Sequence, residues 1–358
     1  MPDVILVGGG HAHLHCLKKI IEEPVPETRF ILVSPSKYQY YSGMFSGYTE
    51  GLYSESDIRI DLEELCRKSG VLFLKDAAVK INPEEKILLL SSGHSLPFTY
   101  ASFDIGSGTN VKNMNSEIIQ TVKPNYRFPE IIRELQDSPS PVIVGGGAAG
   151  VELSLTILAR KKRLKQDGKV TLISASGLIP QESDMSSKKL EKVCRDKGLS
   201  LVLDEQVEEV TNTVVKTNNQ TLAHSGVLFV TGPSAFPIFK ESGLMTTEEG
   251  FLAVTDTLQS KSHPFIFGAG DCVSLLSYKN LAKNGVFAVR QGPVLWENIK
   301  RTLTNSPVIK FTPQKRYLSI LSTGEKQALL IYGPLYLHGR LPWRTKNIID
   351  KKFLMKYT

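Results

Sequence analysis

The sequence predicts an α/β fold with two doubly wound units, each built on a parallel sheet. Three observations carry that prediction. A short apolar run leads into three consecutive glycines and then a helix-like segment, and this happens twice, at Gly8-Gly9-Gly10 and at Gly145-Gly146-Gly147, 137 positions apart. Each helix-like segment is followed by a second β-rich run, at 30–33 and 170–173. Parallel strands joined by a crossover helix are the unit of doubly wound sheets. The chain, at 358 residues and 41% hydrophobic content, is also long enough for more than one core.

In chain order, the first unit opens with a strand at 3–7, the loop Gly8-Gly9-Gly10, a helix at 11–23 and a strand at 30–33. His13 stands where a third glycine would allow close helix–sheet contact, so this helix is expected to sit slightly farther from its sheet. The run Asp104-Ile105-Gly106-Ser107-Gly108 ends a further strand, and Ser138-Pro139-Ser140-Pro141 reads as a hinge or tight loop. The second unit follows, with a strand at 141–144, its glycine loop and a helix at 148–166. Beyond Val254 the chain returns to the first unit through Gly268-Ala269-Gly270-Asp271. From Ser306 two strands are expected, at 317–322 and 328–332, then a basic helix after Pro342. The expected division is therefore 1–112, an inserted 113–255, a return at 256–305 and a C-terminal segment at 306–358.

Composition excludes several classes. The net charge is +7, yet no basic run interleaved with aromatics occurs, which argues against nucleic acid and leaves an anionic cofactor or an anionic membrane surface. Cys16, Cys66, Cys194 and Cys272 are widely spaced with no CxxC, so neither a disulfide framework nor a zinc site is expected, and a reducing cytoplasm suits them. Met1-Pro2-Asp3 lacks the basic start of a secretory leader. The apolar stretch 142–159 contains four glycines and Glu152, which fits strand, loop and helix better than a membrane span.

The glycine loops carry chemistry. A dinucleotide diphosphate needs a backbone that approaches closely and a helix N-terminus with free N–H groups and a favourable dipole. Gly145-x-Gly147-x-x-Gly150 meets the full spacing, and Gly8-x-Gly10-x-x-His13 meets it with one departure. The acidic residue that usually holds a ribose is replaced by Ser34 in the first unit and Ser174 in the second, which leaves NADH and NADPH unseparated. Lys188 and Lys189 read as solvated helix-surface residues. His11, His13 and His15 form an HxHxH, but with no carboxylate nearby in sequence they are read as packing or phosphate-proximal residues, and no metal is expected.

These loops, with Thr231-Gly232 after a strand and Gly268-Ala269-Gly270-Asp271, resemble the flavoproteins with two dinucleotide-binding domains, the pyridine nucleotide-disulfide oxidoreductase superfamily. The segments 7–14, 41–44 and 283–292 further resemble type II NADH dehydrogenase-like proteins and the flavoprotein module sometimes fused to selenophosphate synthetase. The resemblance implies two Rossmann-like domains, FAD in the first and NAD(P)H in the inserted second. It places Gly8, Gly9, Gly10 and His11 at the FAD diphosphate, Ser34 and Pro35 near the adenosine ribose, and Tyr41, Ser42, Gly43 and Met44 at the isoalloxazine. Asp271, with Gly270, would bind the ribityl or diphosphate end, and Gly285 and Val286 would open a helix aimed at the flavin pyrimidine edge, where reduced flavin gathers negative charge. Gly106, Gly108, Gly145, Gly147, Gly150, Thr231 and Gly232 complete the cofactor set. Glu152, in Gly150-Val151-Glu152, would reach the nicotinamide, and Lys283 would support the flavin; a dipole-complementing carboxylate and a solvated cap lysine are the plainer readings of the two.

The implied activity is hydride transfer from NAD(P)H to flavin N5, then electron transfer to an acceptor, with a quinone as first choice. The alternatives are chemistry on a sulfur or selenium compound, or a flavin or nucleotide sensor without turnover. A dithiol mechanism would need paired cysteines, and only Cys272 falls beside the flavin residues. In the C-terminal helix Ile349, Phe353 and Tyr357 share one face among Arg340, Arg344, Lys346, Lys351, Lys352 and Lys356. That face either packs on the first unit or lies in a membrane interface. The protein is thus expected in the cytoplasm, or peripheral on the inner face of a membrane, with a homodimer left open.

Overall fold

The computed structural model describes residues 1–111, 118–333 and 335–358. Its first parallel sheet has five strands in the spatial order Ile266–Gly268, Tyr100–Phe103, Asp3–Val7, Arg29–Ser34 and Leu72–Lys75. The second has five in the order Gln120–Thr121, Gly226–Phe229, Pro141–Val144, Thr171–Ser174 and Ser200–Leu203. Every strand pair in both sheets is parallel. Because Ile266–Gly268 joins the first sheet after the second sheet is complete, the second unit is an insertion in the first. The expected junction at 112–113 lies outside the described residues.

The central strands are apolar runs because helices cover both faces of such a sheet. Val4, Ile5 and Leu6 are wholly buried, as are Ile143 and Leu172 in the second unit. The helix His11–Glu22 packs along the helix Gly285–Leu303, so the returning segment covers the first sheet. The helix Ala148–Leu164 is buried along most of its length, packing on its own sheet, on the short helix Phe45–Glu50 and on the C-terminal sheet.

The C-terminal segment holds three antiparallel strands, Ser319–Gly324, Gln327–Tyr332 and Leu335–Gly339, followed by the helix Arg340–Leu354. The third strand was not expected. It is an edge strand with both faces in solvent, so it lacks the alternation by which a half-buried strand is recognised. The C-terminal helix also corrects the expected stripe. Phe353 and Tyr357 are buried with Asp350 and Leu354, while Ile349 is exposed beside Ile348. Lys189 departs from its solvated reading, since its Nζ lies 3.2 Å from the centre of the Tyr336 ring.

Candidate functional site

The first loop leaves the strand Asp3–Val7 through Gly8, whose φ of +89° favours glycine. A Cβ there would collide with the backbone of Asp104 and Ile105, so the close approach of two chain segments also requires a bare Cα. Gly9 packs against the Leu62 side chain, and Gly10 against the Asp104 carboxyl. The Gly10 N–H donates to the Asp104 carbonyl at 3.2 Å. His13, in the third-glycine place, is wholly buried: Nδ1 lies 2.6 Å from the Gly8 carbonyl and Nε2 2.8 Å from Ser102 Oγ. The imidazole therefore fills and bonds the space between helix and sheet. Burial drives its pKa down to about 4, so it stays neutral at pH 7.

Asp104 stands against the first loop and was missed by sequence reading. The residue is 4% exposed, and its carboxyl accepts from the Ala12 N–H at 2.7 Å and the His13 N–H at 3.3 Å. Burial pushes it up to about 7 against those two donors. The signal was present, a charged residue closing an apolar strand in Phe103-Asp104-Ile105, but a strand end is also where carboxylates commonly meet solvent.

Gly270, at φ +71°, turns against Asp104 and donates its N–H to Gln291 Oε1 at 2.7 Å. Asp271 pairs with Lys123 at 2.9 Å, and Lys123 also donates to Ser107 Oγ. Lys123, on the inserted unit, was likewise missed. Beside Asp271 a cleft opens, lined by Gly270, Lys283, Asn284, Phe287 and Gln291 among others. Lys283 is not a solvated cap: Nζ donates to the Val273 carbonyl and to Ser274 Oγ, and it sits 4.0 Å from the Phe251 ring centre. Burial lowers it to about 8. Asn284 caps the helix Gly285–Leu303, its Oδ1 accepting from Val286 and Phe287 N–H, so Val286 spends its amide inside the protein.

The structure brings His11 beside Gly285, with His11 Nε2 3.8 Å from where a Gly285 Cβ would stand. The His11 ring also lies 5.7 Å from Tyr41 and 5.4 Å from Phe353. Tyr41 stacks on Phe353 at 4.4 Å and donates to Asp350 Oδ1 at 3.1 Å. Lys346 donates to Asp350 Oδ2 at 2.8 Å and to the Gly43 carbonyl. The segment 41–44 is thus tied to the C-terminal helix. Met44 is buried and Ser42 exposed. Ser34 ends its strand and bonds the Ser36 carbonyl at 3.0 Å, while Pro35 is exposed.

The second loop is a separate group. Gly145 has φ +127°, and a Cβ there would meet the Val230 carbonyl at 2.6 Å. Gly150 lies on the Gly145 carbonyl, whereas Gly147 faces open space. Thr231 and Gly232 border this loop and also bond Asn110, joining the units alongside the Gly108–Ser234 pairing. Gly106 has φ +69° in the same crossing segment. Glu152 lies in the helix that follows this loop. Its Oε1 accepts the Ser322 N–H of the C-terminal sheet at 2.8 Å, and burial raises its pKa.

The four cysteines are buried free thiols. Cys272 donates to the Ala269 carbonyl at 3.2 Å, and burial pushes it up to about 12, so it is held as a thiol rather than a nucleophilic thiolate.

Residues 2–297 match the family described as pyridine nucleotide-disulphide oxidoreductase. The chain belongs to this family. It is accordingly an FAD-dependent oxidoreductase of NADH or NADPH. Ferroptosis suppressor protein 1 of Xenopus tropicalis is 23% identical over 350 residues, covering 93% of this chain and 89% of that protein. Type II NADH:quinone oxidoreductase of Staphylococcus saprophyticus is 23% identical over 386 residues, covering 99% and 95%. The structure of NDH2 from Plasmodium falciparum in complex with NADH superposes with a TM-score of 0.85 at 14% identity, covering 99% and 97%. The residues of the first loop fit a dinucleotide: a positive-φ glycine, a close backbone approach and a helix that starts directly after Gly10.

Proposed function

We propose that the chain is an NAD(P)H:quinone oxidoreductase, with FAD held by the first loop and the nicotinamide nucleotide by the second. The observation that carries this is the pairing of two strand–glycine–helix turns, each at the C-terminal end of a central parallel strand, the place where open α/β sheets bind ligands. When bound, FAD supplies two-electron redox chemistry between a nicotinamide and a second acceptor. The protein's part is to bind and orient. Gly8, Gly9 and Gly10 present backbone at the diphosphate, and Gly270 and Asp271 border the cleft. Lys283, held by the Val273 carbonyl and Ser274, places a cation beside it. Tyr41, tied to Asp350 and stacked on Phe353, walls off water on the C-terminal side. Glu152 positions the C-terminal sheet against the second loop through Ser322.

A quinone is favoured as acceptor by the relatives that reduce quinones and by the C-terminal surface. There Leu335, Leu337, Leu341, Ile348 and Ile349 are exposed among Arg340, Arg344, Lys351 and Lys352. An apolar face rimmed by cations suits the interface of an anionic membrane, where quinones reside. Among the described residues no helix is long and apolar enough to cross a membrane.

The test is rapid mixing of the FAD-loaded protein with NADH and with NADPH, followed by a panel of quinones. Bleaching by at least one nucleotide and recovery with a quinone are expected. Bleaching by sulfide without nicotinamide would favour sulfur chemistry, and bound FAD that no nucleotide reduces would favour a sensor.

A further inference from the structure

Gly10 and Gly147 hold the same place in the two loops and the same backbone, with φ, ψ of −68°, 175° and −70°, 176°. In front of Gly147 nothing lies within 4 Å of an added Cβ. In front of Gly10 that space is filled by the Asp104 carboxyl, which takes the Ala12 and His13 N–H groups of the following helix. Those donors and that helix dipole are the features that favour a diphosphate. We propose that Asp104 is a built-in competitor of the FAD diphosphate at the first loop, so that FAD is held more tightly when Asp104 carries its proton than when it is ionised. This rests on the reading of the first loop as the FAD site.

Two groups beside this site change charge between about pH 6 and about pH 8, Asp104 and Lys283. Its carboxyl, up to about 7, is set by burial, lowered by the two amides and raised by Asp271. On its own side, the helix His11–Glu22 contributes His11 and His13, both driven to about 4 by burial and therefore neutral. Burial also pushes the Cys16 and Cys272 thiols up, so neither ionises in this range. Asp271 is paired with Lys123. The helix Gly285–Leu303 presents Ala288 and Gln291, which are uncharged. Lys283, lowered to about 8, is the other titrating neighbour of the cleft, and its loss of charge would weaken anion binding at higher pH. The sign is set by linkage: a ligand that prefers the protonated form takes up protons on binding, and its affinity falls as pH rises.

The experiment is calorimetric titration of the apo chain with FAD in two buffers of different ionisation enthalpy. Between about pH 6 and about pH 8 the dissociation constant is expected to rise roughly ten-fold, with net proton uptake near neutrality. Asp104→Asn keeps the shape and still accepts from both amides, and it is expected to flatten the affinity profile and abolish the uptake. A flat wild-type profile without proton uptake overturns the proposal. So does a slope that persists in Asp104→Asn and disappears in Lys283→Met. FAD binding that is tight but independent of pH sinks this inference alone, whereas no FAD binding at any pH sinks the FAD reading of the loop with it.

Discussion

The two glycine loops share a backbone and differ in what the rest of the chain has placed against it. In the second loop the motif is self-contained. Gly150 packs on the Gly145 carbonyl, and Gly147 is left open toward solvent. In the first loop the same positions are served by distant residues, with His13 bridging Gly8 to Ser102 and Asp104 standing before Gly10. A motif therefore fixes the path of the main chain without fixing the chemistry of the opening it makes.

Matched substitutions break or sharpen this contrast. Gly10→Ala has the largest expected effect: the new methyl overlaps the Asp104 carboxyl, overpacking of this kind costs about 1–3 kcal/mol, and purified protein should lose its flavin absorbance. Adding Asp104→Ala should restore part of it, and full flavin retention in Gly10→Ala alone would dissolve the contrast. Gly150→Ala should lower the melting temperature through a similar overlap with Gly145, of about 1–3 kcal/mol, while the FAD content of the remaining folded protein is unchanged.

A third effect appears in the apo chain. The folded-state pKa of Asp104, near 7, lies above its ordinary value of 3.8, so its stabilising contribution is complete below pH 3.8 and is lost as pH rises through 7. Urea midpoints measured across that window should fall less in Asp104→Asn than in the wild type. The smallest structural effect belongs to Gly147→Ala. Its Cβ enters open space, so stability should hold within about 0.5 kcal/mol, while KM for NAD(P)H rises. An unchanged KM would mean that the open face of the second loop is not where the nucleotide approaches.

Much of the architecture was legible because it is written locally. Triple glycines after apolar strands, and the return at Gly268-Ala269-Gly270-Asp271, announce themselves within a few residues. What stayed hidden depends on partners far along the chain. His13 reads as a flaw in a motif until Ser102 is placed beside it. Asp104 reads as a strand end until the Ala12 and His13 amides arrive. For Lys283 a flavin-supporting role and a solvated cap stayed side by side, because the Val273 carbonyl and Ser274 that hold it come from a neighbouring strand. In the C-terminal helix, periodicity showed the apolar residues but not Asp350, whose burial is set by Tyr41 and Lys346.

The split first sheet has a consequence for biosynthesis. Its edge strand, Ile266–Gly268, leaves the ribosome only after the whole inserted unit, whose own strands are contiguous in the chain. The inserted unit can therefore complete its sheet during translation, while the earlier half waits with an unpaired edge along Tyr100–Phe103. The second sheet thus has all its strands available before the first sheet gains its last one.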